Sequence, residues 1–413
     1  MGTFEYQQDG QLKRASRTFF RGESTNFHPS NESFGRSSFI QDYVMKGWKP
    51  DERFVTKQTP IVAFGSCFAA NISRHLEERG YNVLTKSDNS AHVTKMGDGI
   101  VNSSAILQQF EWAWLNKAPT VDLWHGYQAE EFGYGEDIRL DTKRLFDSAE
   151  LFIVTLGLSE IWFDEPTGEV FWRAVPQKSY DPARHKFRVA THAETLSNLE
   201  SIHSIIRKFR PDAHILFSLS PIPMTATFRS VSCLTADAVS KAILRAALDE
   251  LLRKNEADRN LHYMPSYEAV TRLFQNQWSE DRRHVHRHVL RFNMEMFEHF
   301  YCSPGISSED LNASFRHALD EDMRIGMHGS LTEGMSYSEK REQRIQAKRD
   351  ARIQARTAQR EKSRKETVVS KTLARPTSIL TRVNVVRSAM VWLIAGSIGF
   401  ALNAWTEISF VFE

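Results

Sequence analysis

Short, unbroken apolar runs alternate with longer amphipathic stretches between residues 59 and 302. Ile61–Phe64 is bounded by Pro60 and Gly65, which reads as a strand buried on both faces of a sheet. Residues 151–155 and 214–219 read the same way. Between these runs the period changes. Ile72 and Leu76 keep helical spacing within residues 69–79, and Gly80 supplies a stop. Leu196, Leu199, Ile202, Ile205, Ile206 and Phe209 mark a second helix that ends before Pro211. Ala238, Ile243, Leu244, Ala247, Leu248, Leu251 and Leu252 mark a third. Strand, helix, strand in succession predicts right-handed crossovers and a parallel sheet covered on both sides. The expected fold class is therefore α/β, a three-layer α/β/α sandwich with a parallel sheet. Residues 160–172 read as a hairpin-like excursion around the turn Glu165-Pro166-Thr167-Gly168.

The pattern fades at both ends. Residues 1 to about 38 are polar and read as an extended arm, with Phe4, Phe19, Phe20 and Phe27 as points of attachment. No apolar core of a secretory signal occurs in residues 1–12. Near Gly334 the composition shifts. Arg344, Lys348, Arg352, Arg356, Arg360 and Arg364 fall four residues apart and form one basic stripe, with only Ile345 and Ile353 as apolar companions. A solvated helical linker is the ordinary reading of such a stripe. Contact with anionic lipid or nucleic acid is the alternative, and no specific nucleic-acid partner is expected. Residues 388–405 carry no charge and reach about 18 residues, the lower limit for a bilayer span. Gly396, Ser397, Gly399 and Asn403 weaken that reading, so a transmembrane helix and a docking helix both stay open. Arg382 and Arg387 before it would keep the folded domain in the cytoplasm. The expected organisation is an arm (1–55), a catalytic domain (56–330), a basic helical linker (331–384) and an apolar tail (385–413).

Composition narrows the class. The chain has 413 residues, 41% hydrophobic and 25% charged, with a net charge of +2, enough to bury a large core. Cys67, Cys233 and Cys302 are odd in number and scattered, which argues against a disulfide framework and fits a reducing compartment. No phosphate-binding glycine loop or dinucleotide fingerprint occurs, so no cofactor is implied. His284, His286 and His288 alternate without a matching carboxylate or cysteine set, so no metal is predicted.

Two local features carry chemistry. In Gly65-Ser66-Cys67-Phe68-Ala69, Ser66 stands where a strand ends and a helix begins. Such a serine is either a helix cap or a nucleophile facing a helix start that favours negative charge. Cys67 is the rival nucleophile, although a cysteine at this junction is ordinarily a small buried hydrophobe. Far downstream, Asp281 and His284 lie three residues apart before an amphipathic helix. That spacing lets a carboxylate fix an imidazole whose other nitrogen accepts a serine proton.

The Gly-Ser-Cys-Phe-Ala run resembles the signature of the GSCFA family, which looks like a branch of the SGNH, or GDSL-like, hydrolases. The resemblance covers about residues 55–305 and implies a triad of Ser66, His284 and Asp281. Residues 97–102, 153–162 and 218–223 fit the same resemblance. It implies oxyanion donors at Ser66, Gly99, Asn102 and Ser159. One departure stands out: Gly157-Leu158-Ser159-Glu160 lacks the asparagine expected there. One lost donor costs roughly 3–4 kcal/mol of transition-state stabilisation. The implied function is a serine esterase or acyltransferase acting on an O-acetyl-type ester, with a small-molecule or carbohydrate ester as substrate. The alternative is a non-catalytic polysaccharide-binding or membrane-tethered module that keeps the fold. Trp162 and Trp172 are either core residues or a stacking wall over a sugar.

Overall fold

The computed structural model describes residues 3–8, 10–16, 25–87, 91–95, 99–124 and 133–328. By its internal contacts the chain divides into two units, Met1–Tyr337 and Ser338–Glu413, and every described residue belongs to the first. The basic stripe at 344–364, the apolar stretch at 388–405, Phe19, Phe20, Gly97 and Asp98 lie outside the described residues.

A hairpin comes first, β1 (Thr3–Gln8) paired antiparallel with β2 (Gln11–Ser16), with Gly10 at φ 73° in its turn. The polar composition of this region predicts an extended arm instead. The overlooked signal is Asp9-Gly10, a turn pair that favours tight hairpins even between polar strands. Phe27 stacks on Tyr6 of β1 with ring centres 4.6 Å apart, a contact within the N-terminal segment itself. A single capped turn, α1 (Asn31–Phe34), leads to Phe39, Ile40 and Met45, which are buried.

The main domain then alternates as the hydropathy pattern requires. β3 (Ile61–Phe64) feeds α2 (Cys67–Glu78), which stops at Gly80 with φ 78°. Short helices α3 (Leu84–Ser87) and α4 (His92–Lys95) precede α5 (Ser103–Leu115) and α6 (Glu136–Ser148). β4 (Leu151–Leu156) runs into β5 (Glu160–Asp164), which pairs antiparallel with β6 (His185–Val189). After these come α7 (His192–Phe209), β7 (His214–Leu219), α8 (Cys233–Lys254) and β8 (Leu261–Met264). The last helices are α9 (Ser266–Leu273), α10 (Arg287–Tyr301) and α11 (Ser308–His328).

β3, β4, β7 and β8 form a four-stranded, all-parallel sheet in that spatial order. Strand residues alternate between two cores. Val62, Phe64, Phe152, Val154, Ile215 and Phe217 join the core with residues of α5, α7 and α8, while Ile61, Ala63, Leu151, Ile153 and Leu216 join residues of α2, α9, α10 and α11. That period-2 split produces three layers. Ile61 also makes a parallel bridge to Val83 on the side away from β4. The chain thus leaves β3 toward one side and returns on the other. Such a reversal opens a crevice at the carboxyl end of β3, the usual ligand position in open α/β sheets.

The expected excursion at 160–172 exists in part. Phe163 bridges Val170, and Gly168 sits at φ 73°, but the longer partner of β5 is β6. The stretch 153–162 is divided between two strands, with β4 ending at Leu156 and β5 starting at Glu160. No helix among the described residues is long and apolar enough to cross a membrane.

Candidate active site

Gly65 joins β3 to α2 at φ 131°, a backbone conformation that side chains rarely adopt. A β-carbon there would collide with the Thr155 carbonyl and lie 2.8 Å from Thr155 N, so only glycine lets this turn press against β4. Ser66 follows as the N-cap of α2, and its Oγ accepts a hydrogen bond from Phe68 N at 3.1 Å. The cap reading therefore describes the local geometry. It leaves the hydroxyl proton uncommitted. Ser66 is 4% exposed.

Asp281 and His284 share one tight loop. Ser279 N donates to His284 O at 2.7 Å, Arg282 N donates to Ser279 O at 2.8 Å, and Arg282 occupies the left-handed region at φ 54°. One oxygen of Asp281 accepts from Ser279 Oγ (2.9 Å), Arg283 N (3.0 Å) and His284 N (2.9 Å). Its other oxygen pairs with His284 Nδ1. Burial opposes ionisation of Asp281, but the His284 N–H and ring, with Arg283 N–H and the Ser279 hydroxyl, outweigh it and hold the carboxyl well below the usual range. His284 has a 56% exposed side chain, and its Nε2 has no partner among the described residues. No hydrogen bond joins Ser66 Oγ to His284. The loop is nevertheless anchored at the strand ends, because Arg283 Nε donates to Pro223 O at 3.1 Å in the connection after β7.

The structure also gathers the expected oxyanion residues around the end of β4. Val101 O accepts from Gly157 N (2.8 Å) and Leu158 N (3.3 Å), tying the Gly99–Asn102 turn to the strand. The N–H groups of Ser66 and Gly99 have no acceptor among the described residues. Asn102 differs. Its Oδ1 caps α5 through Ala105 N, and its amide donates to Phe171 O (3.1 Å) and Trp172 O (3.0 Å). Both amide hydrogens are thus committed to a neighbouring loop. Ser159 N is taken by Ser240 Oγ at 2.8 Å, while the buried Ser159 hydroxyl has no partner among the described residues. Trp172 is fully buried and belongs to the core.

A model of the GSCFA family matches residues 60–297, more than half of the chain. The chain belongs to the GSCFA family. The matched span contains Ser66, Asp281 and His284, and ends within α10. No curated protein matches the chain.

This GSCFA protein also relies on a residue that the sequence reading passed over. Lys241 is 2% exposed, and its Nζ donates to Gly157 O and Ile222 O, both at 2.9 Å. It therefore pins the exits of β4 and β7 to each other. The available signal was a lysine on the buried stripe of α8, three residues before Leu244 and seven before Leu248. Arg283 gave no comparable signal, since its partner is a backbone carbonyl sixty residues away. A cavity of about 580 Å³ lies along α2, α10 and α11 beside Arg79, Arg291, Glu295 and His317. Those residues belong to a helix flank, whereas the chemistry sits at the strand ends. The side chain of Cys67 is outside the described atoms, and Cys302 is buried with its thiol pushed up to about 12 by burial.

Proposed function

We propose that this GSCFA protein is a serine esterase or acyltransferase of the SGNH type, acting on an acyl ester such as an O-acetyl group. The observation that carries this reading is the Asp281–His284 pair on a loop tied by Arg283 to the same strand edge that bears Ser66. Asp281 stays ionised and fixes His284 with Nδ1 engaged, which leaves Nε2 to act as base. Nε2 removes the Ser66 hydroxyl proton as Oγ attacks the acyl carbonyl. The oxyanion that forms meets the Ser66 N–H at the start of α2 and the Gly99 N–H of the turn before α5. Collapse expels the alcohol, which takes its proton from His284, and leaves an acyl-serine. Water or an acceptor hydroxyl, deprotonated by His284, then releases the acyl group. Catalytic hydrogen bonds often form only once substrate is bound, so this reading does not require a Ser66–His284 bond in advance.

Fluorophosphonate labelling with peptide mapping tests the nucleophile without knowledge of the substrate. The label is expected on Ser66 and is expected to vanish in Ser66→Ala. Labelling that survives Ser66→Ala, or no labelling of the folded protein, overturns the reading. A second reading, a carbohydrate-binding module without turnover, is favoured by one observation: the Asn102 amide and the Ser159 N–H are both already bonded within the protein. Absence of the label together with glycan binding would select it.

A further inference from the structure

Four aromatic rings meet beyond the carboxyl end of the sheet. Trp162 and Phe187 are cross-strand partners on β5 and β6, with ring centres 5.6 Å apart. Phe228, from the connection between β7 and α8, sets its ring edge-on to Trp162 at 4.8 Å and tilts against Phe187 at 5.4 Å. Tyr180 meets Trp162 edge-on at 5.7 Å. Phe228 is 56% exposed and Tyr180 47% exposed, although rings of this size gain most from burial. The corner is rigidly held. Thr227 Oγ1 donates to the Glu160 carboxylate, with its oxygens at 2.8 and 2.9 Å, joining the start of β5 to the loop that bears Phe228.

Two donors in this corner lack acceptors. Trp162 Nε1 and Arg229 Nη1 are buried atoms with no hydrogen-bond partner among the described residues, and Arg229 forms no ion pair there. A guanidinium N–H shut away from water without an acceptor is unfavourable, as is an orphaned indole N–H. The same loop contains Pro223, whose carbonyl anchors the Asp281–His284 loop through Arg283. Phe228 follows Pro223 by five positions, so its Cα lies at most about 18 Å from the Pro223 Cα.

We propose that Trp162, Phe187, Phe228 and Arg229 form a subsite for a sugar ring bearing a carboxylate, beside the Ser66 site; the location rests on the esterase reading, but binding does not. The C–H face of a pyranose covers the exposed rings, a ring hydroxyl accepts from Trp162 Nε1, and the carboxylate engages the planar fork of Arg229. A plain acyl chain would use the rings and leave both donors orphaned.

Binding of oligogalacturonate, oligoglucuronate and oligomannuronate to the full chain, wild type and Ser66→Ala, is measured by calorimetry against a neutral cello-oligosaccharide of equal length and glucose 6-phosphate. At least one uronate is expected to bind tenfold or more tightly than the neutral sugar in both proteins, and less tightly as salt rises. Phe228→Ala should weaken it at least tenfold, and Arg229→Gln should abolish the preference over the neutral sugar. The wild-type salt dependence reports the cation even where Arg229→Gln fails to fold. The proposal is overturned if no uronate exceeds the neutral sugar, if Phe228→Ala binds as wild type does, or if the sugar phosphate binds more tightly than every uronate. Uronate binding without label on Ser66 would refute the esterase reading alone; label without uronate binding would refute this subsite alone.

Discussion

At the scale of single residues, the site depends on one glycine and on a division of labour among three polar groups. Gly65→Ala places a methyl group against the backbone of Thr155 at a positive φ, so we expect about 2–4 kcal/mol of destabilisation, read by urea unfolding, together with loss of fluorophosphonate labelling. Under the esterase proposal, Ser66→Ala and His284→Ala each lower kcat by roughly 10⁶ with little change in the unfolding midpoint, whereas Asp281→Asn costs roughly 10⁴. The smaller figure follows from the role of Asp281, which orients and charge-stabilises His284 but touches no reacting atom. Cys67→Ala should leave turnover close to wild type. Loss of activity in Cys67→Ala with activity retained in Ser66→Ala would reverse the assignment of the nucleophile.

Two devices act at the scale of elements. Lys241 links the exits of β4 and β7, so Lys241→Ala leaves the Gly157 and Ile222 carbonyls without their donor. A loss of about 2–4 kcal/mol is expected in urea unfolding, with an unchanged m-value. At the opposite edge of the sheet, His214 on β7 and His262 on β8 share a hydrogen bond of 3.0 Å, and Phe54 stacks on His214 with ring centres 3.6 Å apart. Burial depresses both imidazoles to about 4; nearby Arg207 adds to this and Asp258 opposes it. Both are therefore neutral in the fold, while the unfolded chain takes up protons near pH 6.5. Their contribution is complete above about pH 6.5 and is lost as pH falls toward 4. Denaturant unfolding should show a fall of about 1–3 kcal/mol between pH 7 and 4.5, and His262→Gln should flatten part of it. An equal slope in that variant would remove the pair as the cause; buried His92, also depressed to about 4, supplies a separate share.

For the whole molecule, the sheet places its chemistry on one edge and its histidine pair on the other. The basic stripe at 344–364 and the apolar stretch at 388–405 lie beyond residue 328, outside the described part. If residues 388–405 form a span, the full chain stays with membranes after alkaline carbonate washing, and a chain ending at Gly334 is soluble. Equal solubility of the two would remove the anchor. The truncated chain keeps all four strands of the parallel sheet and α11, so it should retain the unfolding midpoint of the main domain.

The alternation of apolar runs with amphipathic stretches was enough to read β3, β4, β7, α2, α7, α8 and α10, because each carries its own period and its own stop: Gly80 after α2, Pro211 after α7. The motif residues Ser66, Asp281 and His284 were legible for a related reason. A serine at a strand-to-helix junction and an Asp and His three residues apart announce local geometry. What the sequence left open depended on partners distant along the chain. β5 pairs with β6 across twenty residues of irregular chain, and no period in residues 160–172 encodes that choice. Asn102 looked like a free amide until Phe171 and Trp172 supplied carbonyls for both of its hydrogens. Lys241 looked like an ordinary helix lysine until two strand exits converged on it. Local periodicity and turn chemistry are written in neighbouring residues, but whether a buried donor is free or spent depends on which carbonyls the fold brings within 3 Å of it.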